Sequence, residues 1–235
     1  TGHYAKVAYS SEFGRYQILK AADTTKDQSY MLYGLSQNQL AHIKFPLGEY
    51  TKNDIRFIAT SQGLENAQKK DSQDICFIPD GDYRGFLKYN TGDLGKEGNF
   101  ITKSGDVLGK HKGLCCYTIG QRKGLGLSSS EPLYVVEKRG DGNVLLGREN
   151  ELYKSRFYVK YCNWVSIKEP TEPTQLLVKT RYRQKEMPAI LYPKEDKCAV
   201  VELLSPGKAI APGQAAVFYD GDILLGGGVI SSEEV

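Results

Sequence analysis

The residue whose setting suggests chemistry is Cys76, in the stretch KKDSQDICFIPDGDY at residues 69–83. Lys69 and Lys70 favour a thiolate nearby, whereas Asp71 and Asp74 oppose it, so charge alone does not decide whether the thiol is reactive. The apolar pair after the cysteine predicts a strand end, and the Pro-Asp-Gly sequence beyond it predicts a loop. A cysteine at such a junction is accessible to a partner. A nucleophile and a buried structural thiol both remain open.

Several short basic segments have the composition of nucleic-acid contacts. Arg beside Tyr, as in Arg181-Tyr182, offers a phosphate contact together with a surface for base stacking. The loop TIGQRKGLGLSSSE at residues 118–131 combines glycines, which permit close backbone approach, with two cations. For each segment the alternative is a solvated charge beside a turn. The remaining segments of this kind are Lys26-Asp27-Gln28 and Pro212-Gly213-Gln214.

The other cysteines and the histidines suggest no further site. The five cysteines form no CxxC pair and no cluster with histidine, so we expect no structural zinc and no other metal site. Free cysteines of this kind are mostly small buried apolar residues, and we start from that expectation for each one here. His42 and His111 have no carboxylate or nucleophile near them in sequence and are assigned no role.

The composition is that of a soluble globular protein. The chain has 235 residues, 40% of them hydrophobic, which is enough for one large domain or for two to three small ones. No apolar run approaches the ~20 residues of a membrane span, and no signal-peptide pattern occurs, so we expect a cytoplasmic protein without a membrane partner. The formal net charge of +3 permits a polyanionic partner.

The first third of the chain predicts mixed α/β structure. The first nine residues and residues 16–21 suit a hairpin around the polar SSEFG link. A helix is predicted over residues 24–43, capped by Thr24 or Thr25. A second helix is predicted over residues 51–63, where Thr51 and Asp54 fit a capping box and a glycine ends the pattern.

From about residue 80 the pattern becomes that of β structure. Glycine-rich turns separate short strand candidates at residues 115–119, 133–138 and 144–146, and Gly-Asp-Gly-Asn links the last two as a hairpin. After Asn150, strands separated by turn residues predict a compact barrel. Its six predicted strands are residues 156–165, 175–182, 187–192, 197–203, 215–219 and 223–230.

Many segments of the chain, taken together, resemble the tRNA-specific 2-thiouridylases of the MnmA/TrmU family. The matches run in the family's order and cover nearly the whole chain. They are TGHYA at 1–5, KDQSYMLYGLS at 26–36, FPLGEYTKNDIRFIA at 45–59, KKDSQDICFIPDGDYRGFL at 69–87, GLCCYTIGQRKGLG at 113–126, VKTRYRQ at 178–184 and PGQAAVFYDGDILLGGGVI at 212–230.

The resemblance implies a reaction and a role for Cys76. Members of the family use ATP to adenylylate the C2 oxygen of the wobble uridine (U34) in tRNA, and sulfur from a cysteine persulfide then displaces AMP. Cys76 matches the cysteine that receives the persulfide. A carbonyl oxygen is a poor leaving group until it is activated, and a persulfide is a strong nucleophile with a cleavable S–S bond. The implied partners are ATP with Mg2+, tRNA, and a cysteine desulfurase or relay protein as sulfur donor.

The resemblance also implies binding residues. Gly2 would border the ATP site, and His3 would lie beside the tRNA near the reacting base. The other positions that match tRNA contacts of the family are Lys26, Asp27, Gln28, Arg181, Tyr182 and Gln214. A contact of Arg122 and Lys123 with the RNA backbone is a hypothesis from their chemistry alone.

The chain departs from the family in lacking an SGGVDS-type PP-loop, an acidic residue near the target base and the second cysteine that resolves the persulfide as a disulfide. We therefore expect this chain to be the C-terminal two-thirds of the enzyme and to be unable to adenylylate tRNA alone. We also expect it to be a monomer. The expected architecture is an α/β remnant of a PP-loop nucleotide-binding domain at 1–78, a small central β-rich domain at 79–148 and a tRNA-binding C-terminal β-barrel at 149–235. The alternatives are an RNA-binding β-module without catalysis, or a PP-loop enzyme acting on another substrate.

Overall fold

A computed structural model describes residues 1–68, 78, 82–92 and 95–234, which form two compact units. The first unit combines residues 1–68 with residues 155–207 and 211–234, and the second contains residues 78, 82–92, 95–154 and 208–210. The fold is mostly β with few helices, as predicted. The three-domain division of the sequence remains a prediction. Cys76 lies outside the described residues.

A closed barrel of six strands dominates the first unit. All six predicted strands are confirmed, and their order around the barrel is β12-β11-β8-β9-β10-β7, with β12 pairing to β7 to close it. Alternation along each strand places apolar side chains inside the barrel, where Phe157, Val159, Leu176 and Val178 are buried. The strands are β7 (Tyr153–Trp164), β8 (Thr174–Lys179), β9 (Met187–Lys194), β10 (Cys198–Lys208), β11 (Ala215–Asp220) and β12 (Ile223–Ser231).

Three consecutive glycines allow β12 to pass close to β7 at the closing seam. A Cβ atom on Gly226 would lie 2.3 Å from the backbone oxygen of Asn163, and one on Gly228 would lie 2.6 Å from a methyl carbon of Val159. Gly226 pairs with Trp164 in this register. Side chains at these positions would force the two strands apart, so the seam depends on glycine.

An N-terminal hairpin extends the barrel sheet. Its strands β1 (Lys6–Ser10) and β2 (Arg15–Leu19) are antiparallel, as predicted, and β2 pairs with β12 through Leu19 opposite Ile223 and Ile18 opposite Leu224. Hairpin and barrel share one core. The buried members of that core are Ala5, Ile18, Tyr30, Leu32, Leu40, Phe45, Val165, Val217, Tyr219 and Leu224.

Of the two helices predicted in the first unit, one is confirmed and the other is not. Helix α2 (Lys52–Ser61) begins at the predicted capping box, in which Thr51 and Asp54 bond reciprocally. The single helix predicted over residues 24–43 is wrong. The structure has a 3-10 turn at Ser29–Leu32 and a one-turn helix α1 (Gln37–Leu40), because Ser36 starts a capping box of its own.

The second unit contains one helix and a four-stranded sheet of order β4-β3-β6-β5. The predicted hairpin is confirmed as β5 (Tyr134–Lys138) and β6 (Val144–Gly147). The strand predicted at residues 115–119 is wrong, since a 3-10 turn occupies Leu114–Cys116. Sequence reasoning did not predict α3 (Tyr83–Thr91), β3 (Gly98–Ile101) or β4 (Val107–His111).

His111 is a structural residue of the second unit, only 1% exposed. Its Nδ1 accepts a hydrogen bond from the backbone N–H of Gly113 at 3.1 Å, so Nε2 carries the proton and donates to the carbonyl oxygen of Gly142 at 2.8 Å. The ring packs against Phe100 and Tyr117. Both ring nitrogens are thus satisfied within the core.

Candidate nucleic-acid interface

The Lys26-Asp27-Gln28 segment forms the turn that leads from β2 into the first 3-10 turn. Asp27 is buried, and its Oδ1 accepts hydrogen bonds from the backbone N–H groups of Ala21 at 3.0 Å and Ser29 at 3.3 Å. Its Oδ2 accepts from the Ser29 hydroxyl at 2.8 Å, and the Tyr219 hydroxyl lies 3.2 Å from that same oxygen of Ser29. Asp27 therefore holds this turn on the barrel.

Gln28 joins this turn to the N-terminal TGHY segment. Its backbone N–H donates to the carbonyl oxygen of Tyr4 at 2.8 Å, and its side-chain Oε1 accepts from the N–H of Tyr4 at 2.9 Å. The neighbouring His3 is half-buried, with Nδ1 2.7 Å from the Thr1 hydroxyl and its ring edge-on to Phe45. The two segments predicted to meet tRNA are thus held side by side.

The Arg181-Tyr182 turn after β8 lies against the same region. Burial, then the negative charge of Asp27, raises the pKa of the Tyr182 hydroxyl, while Arg183 and Lys26 lower it. The Tyr182 ring is 6.1 Å from the Tyr30 ring, centroid to centroid. The turn is closed by Gln184, whose Oε1 accepts from the Thr180 hydroxyl at 2.7 Å.

The Pro212-Gly213-Gln214 turn is the third segment gathered here. The Tyr30 hydroxyl donates to the carbonyl oxygen of Ala215 at 3.0 Å, directly after Gln214. Gly213 has a φ of +83°, which glycine adopts readily, and its N–H donates a hydrogen bond to the carbonyl oxygen of Ile230. Gln214 itself is exposed. The structure therefore brings together three of the predicted binding segments, with Tyr30 between them.

This arrangement suits a single-stranded or irregular RNA. Cations at Lys26, Lys179 and Arg181 can contact phosphates, and the partly exposed ring of Tyr182 can stack on a base. The exposed amide of Gln214 can hydrogen-bond to a base edge or a ribose. Such a mixture of charge, aromatic surface and amide groups is typical of RNA-binding sites.

Arg122 and Lys123 belong to the second unit, in an exposed loop. The Gln121 side chain fixes that loop by accepting from the N–H of Thr118 at 3.0 Å and donating to the carbonyl oxygen of Lys123 at 3.0 Å. The pKa of Glu149 is lowered chiefly by a hydrogen bond from Lys208 and to a smaller extent by Arg122. The contact of Arg122 and Lys123 with the RNA backbone remains a prediction.

The surroundings of Gly2 show no close approach of the kind that a phosphate cradle needs. Gly2, the predicted contact, is exposed, and a Cβ atom there would meet only Leu47 at the ordinary distance of 3.9 Å. Nothing at this position requires the close phosphate approach that glycine permits. A contact of Gly2 with ATP therefore remains a prediction.

The described part of the chain contains no metal-binding cluster, no disulfide and no membrane-spanning helix. Within it, no group of three or more His, Cys, Asp or Glu side chains is placed to hold a metal ion. The four cysteines in that part, Cys115, Cys116, Cys162 and Cys198, carry unbridged thiols. None of the helices in these ranges combines the length and apolar character of a membrane span.

Sequence reasoning missed Tyr30 and Lys179. Tyr30 falls within the helix predicted over residues 24–43, but its hydroxyl has a specific backbone partner in β11. The ammonium group of Lys179 lies 5.8 Å from the centre of the Tyr30 ring. Both contacts join residues far apart in sequence. The only local signal was the position of Lys179 two residues before the Arg-Tyr pair.

Comparison with known proteins places the whole chain in one family. Residues 1–80 match the tRNA methyl transferase HUP domain, residues 84–146 the tRNA methyl transferase PRC-barrel domain, and residues 154–230 the aminomethyltransferase beta-barrel domain. The tRNA-specific 2-thiouridylase MnmA 1 of Caldanaerobacter subterraneus subsp. tengcongensis is 46% identical over 99% of this chain and 64% of its own length. The MnmA of Acetivibrio thermocellus is 45% identical over 98% of this chain and 64% of its own.

A cyanobacterial relative gives the same result. The tRNA-specific 2-thiouridylase MnmA of Synechococcus sp. (strain JA-3-3Ab) is 47% identical over 98% of this chain and 62% of its own length. The chain thus spans a little under two thirds of these relatives. On the three domain matches and these identities, the chain belongs to the family of tRNA-specific 2-thiouridylases.

Proposed function

We propose that this chain takes part in the 2-thiolation of the wobble uridine of tRNA. The observation that carries the proposal is the gathering of the Lys26–Gln28, Arg181-Tyr182 and Gln214 segments around Tyr30. The relatives' names, tRNA-specific 2-thiouridylase, supply the reaction. The first unit binds tRNA, and Cys76 carries the sulfur.

Within this proposal the binding residues divide by exposure. Lys26, Arg181, Tyr182 and Gln214 are at least partly exposed and would meet the RNA directly. Asp27 is buried and both its carboxylate oxygens accept hydrogen bonds within the turn, so it would act by holding its neighbours in place. His3 would face the reacting base, and Gly2 would border the nucleotide.

The chemistry assigned to Cys76 is sulfur transfer from a persulfide. The outer sulfur would attack C2 of a uridine whose C2 oxygen has been adenylylated, AMP would leave, and a second thiol would cleave the S–S bond. ATP with Mg2+ supplies that activation when bound. A cysteine desulfurase or relay protein would load Cys76. In this proposal the protein is a cytoplasmic monomer. Arg122 and Lys123 contact the RNA backbone.

The binding half is tested with a transcribed tRNA carrying uridine at the wobble position. Arg181→Ala should weaken binding and reduce the slope of log K against log salt by about one, because one phosphate contact is lost. Lys194→Ala removes an exposed charge elsewhere on the same barrel and serves as the control. Equal affinities for the two variants would contradict the proposed interface.

The sulfur-transfer half is tested by intact mass spectrometry after incubation with a cysteine desulfurase and cysteine. We expect a gain of one sulfur atom that disappears in Cys76→Ser and persists in Cys115→Ser, which removes an exposed thiol of the second unit. A gain that persists in Cys76→Ser would refute the role of Cys76. Binding of tRNA without any sulfur gain would favour the RNA-binding module.

A further inference from the structure

We propose that Tyr30 is a positioning residue that holds the three RNA-facing segments in one arrangement able to bind tRNA. This inference rests on the proposed function. Tyr30 is 6% exposed, so it cannot itself present a surface to RNA. Its effect must pass through the residues it contacts.

The hydroxyl of Tyr30 fixes the turn that carries Gln214. It donates to the carbonyl oxygen of Ala215 at 3.0 Å, and the carbonyl oxygen of Gln214 accepts from the N–H of Ile230 at 2.8 Å. These two bonds hold consecutive residues at the start of β11. Loss of the Tyr30 bond would leave a carbonyl oxygen without its partner and one side of the turn unsupported.

The ring of Tyr30 supports the Arg181-Tyr182 turn. The Tyr182 ring packs on it at 6.1 Å with a 52° tilt, and the ammonium group of Lys179 lies 5.8 Å above its centre. The residues on both sides of Arg181 are thus in contact with one buried ring. Cation–π and aromatic contacts of this kind orient side chains as well as stabilise them.

The backbone of Tyr30 connects these contacts to the Lys26–Gln28 segment. Tyr30 follows Ser29, which is bonded to Asp27, and lies two residues after Gln28, which is paired with Tyr4. A shift of Tyr30 would therefore move all three segments. The basic and amide groups that would meet RNA share this single support.

Two substitutions separate the functions of the hydroxyl and the ring. Tyr30→Phe removes only the bond to Ala215, and Tyr30→Leu removes the aromatic support as well. Tyr158→Phe is the matched control, because it removes a tyrosine hydroxyl that donates to Glu234 at 2.5 Å in the same unit. The measurement is the Kd for the transcribed tRNA, by fluorescence anisotropy, over a range of salt concentrations.

We expect Tyr30→Phe to weaken binding about three- to tenfold, the range of one hydrogen bond, with an unchanged salt slope because no cation is lost. Gln214→Ala should then cost less in the Tyr30→Phe background than in the wild type. Tyr30→Leu should weaken binding further, with little added effect of Tyr182→Ala. Tyr158→Phe should bind as the wild type does.

Equal affinities of Tyr30→Phe and the wild type would overturn the inference while leaving the proposed function intact. Strictly additive effects of Tyr30→Phe and Gln214→Ala would overturn it too, because a merely structural role predicts no coupling. Failure of the wild type to bind this tRNA would overturn both proposals. If Tyr30→Leu does not fold, the Tyr30→Phe cycle decides.

Discussion

The seam that closes the barrel makes Gly226 a position where one methyl group should be costly. In Gly226→Ala the new Cβ would start 2.3 Å from the backbone oxygen of Asn163, whereas ordinary contacts begin near 3.4 Å. The strands would have to separate by about 1 Å at a point where the obstacle is backbone, which cannot rotate away. Overpacking in a core costs ~1–3 kcal/mol, and we expect the upper end of that range.

A loss of about 3 kcal/mol lowers the melting temperature by ~6–12 °C in a protein of this size. The only tryptophan, Trp164, pairs with Gly226 across the seam, so its fluorescence reports melting at that site. Gly34→Ala is the control: a Cβ there meets no atom within 4 Å, and its φ is compatible with alanine. It should melt at or slightly above the wild-type temperature.

A Gly226→Ala variant that melts within about 2 °C of the wild type would contradict the expected clash, since even a 1 kcal/mol penalty predicts a shift of roughly that size. A second outcome would be equally damaging. If Gly34→Ala lost as much stability as Gly226→Ala, the cost would come from the backbone preference of glycine and not from the close approach of β12 to β7.

Four further predictions concern single residues. His111→Leu should lower the calorimetric melting temperature of the second unit, since the buried N–H of Gly113 and the partly buried carbonyl oxygen of Gly142 lose their partner, at ~1–3 kcal/mol for a buried group; an unchanged transition would contradict these two hydrogen bonds. Asp27→Asn should cost ~1–3 kcal/mol in urea unfolding, because an amide oxygen accepts the two backbone N–H bonds more weakly than a carboxylate and the NH2 group forces the Ser29 hydroxyl to accept instead of donate. Hydrogen bonds, first from the Thr51 side chain and then from its backbone, lower the pKa of Asp54. The cap should therefore be fully formed above pH 3.8 and be lost as the pH falls through the lower pKa that Asp54 has in the folded protein. Amide exchange in α2 should show this loss, and Thr51→Ala should remove most of the pH dependence. Burial, and to a smaller extent Tyr33, raises the pKa of the Tyr30 hydroxyl to about 12. The contribution of this hydroxyl to stability should therefore be present below about pH 10 and be lost between about pH 10 and 12. In unfolding experiments, Tyr30→Phe should flatten this pH dependence.

The barrel could be predicted because its signal is local. Each strand alternates inward and outward residues, and turn residues separate the strands, so all six were found from the sequence. The cap of α2 was equally local, since Thr51 and Asp54 lie three residues apart. Closure of the barrel by β12 and β7 depends instead on a register between distant strands, which no single segment encodes.

The predictions that failed did so where local patterns compete. Apolar residues over 24–43 suit a helix, but Asp27 is tied to the backbone of Ala21 and Ser36 begins a new cap, so the segment breaks into short turns. The residue types of the binding segments were visible in the sequence. Their gathering around Tyr30 was not, because the hydroxyl bond to Ala215 spans 185 positions.

The pairing of the β1–β2 hairpin with β12 also constrains how the protein is made. Leu19 leaves the ribosome about 200 residues before its partner Ile223. At ~5–20 residues per second, the hairpin waits roughly 10–40 s for the strand that completes its edge. During that time Ile18, fully buried in the finished protein, has no barrel to pack on. Until β12 has been made, the hairpin therefore carries one open edge and a partly apolar face, and completion of the first unit waits for the last strands of the barrel.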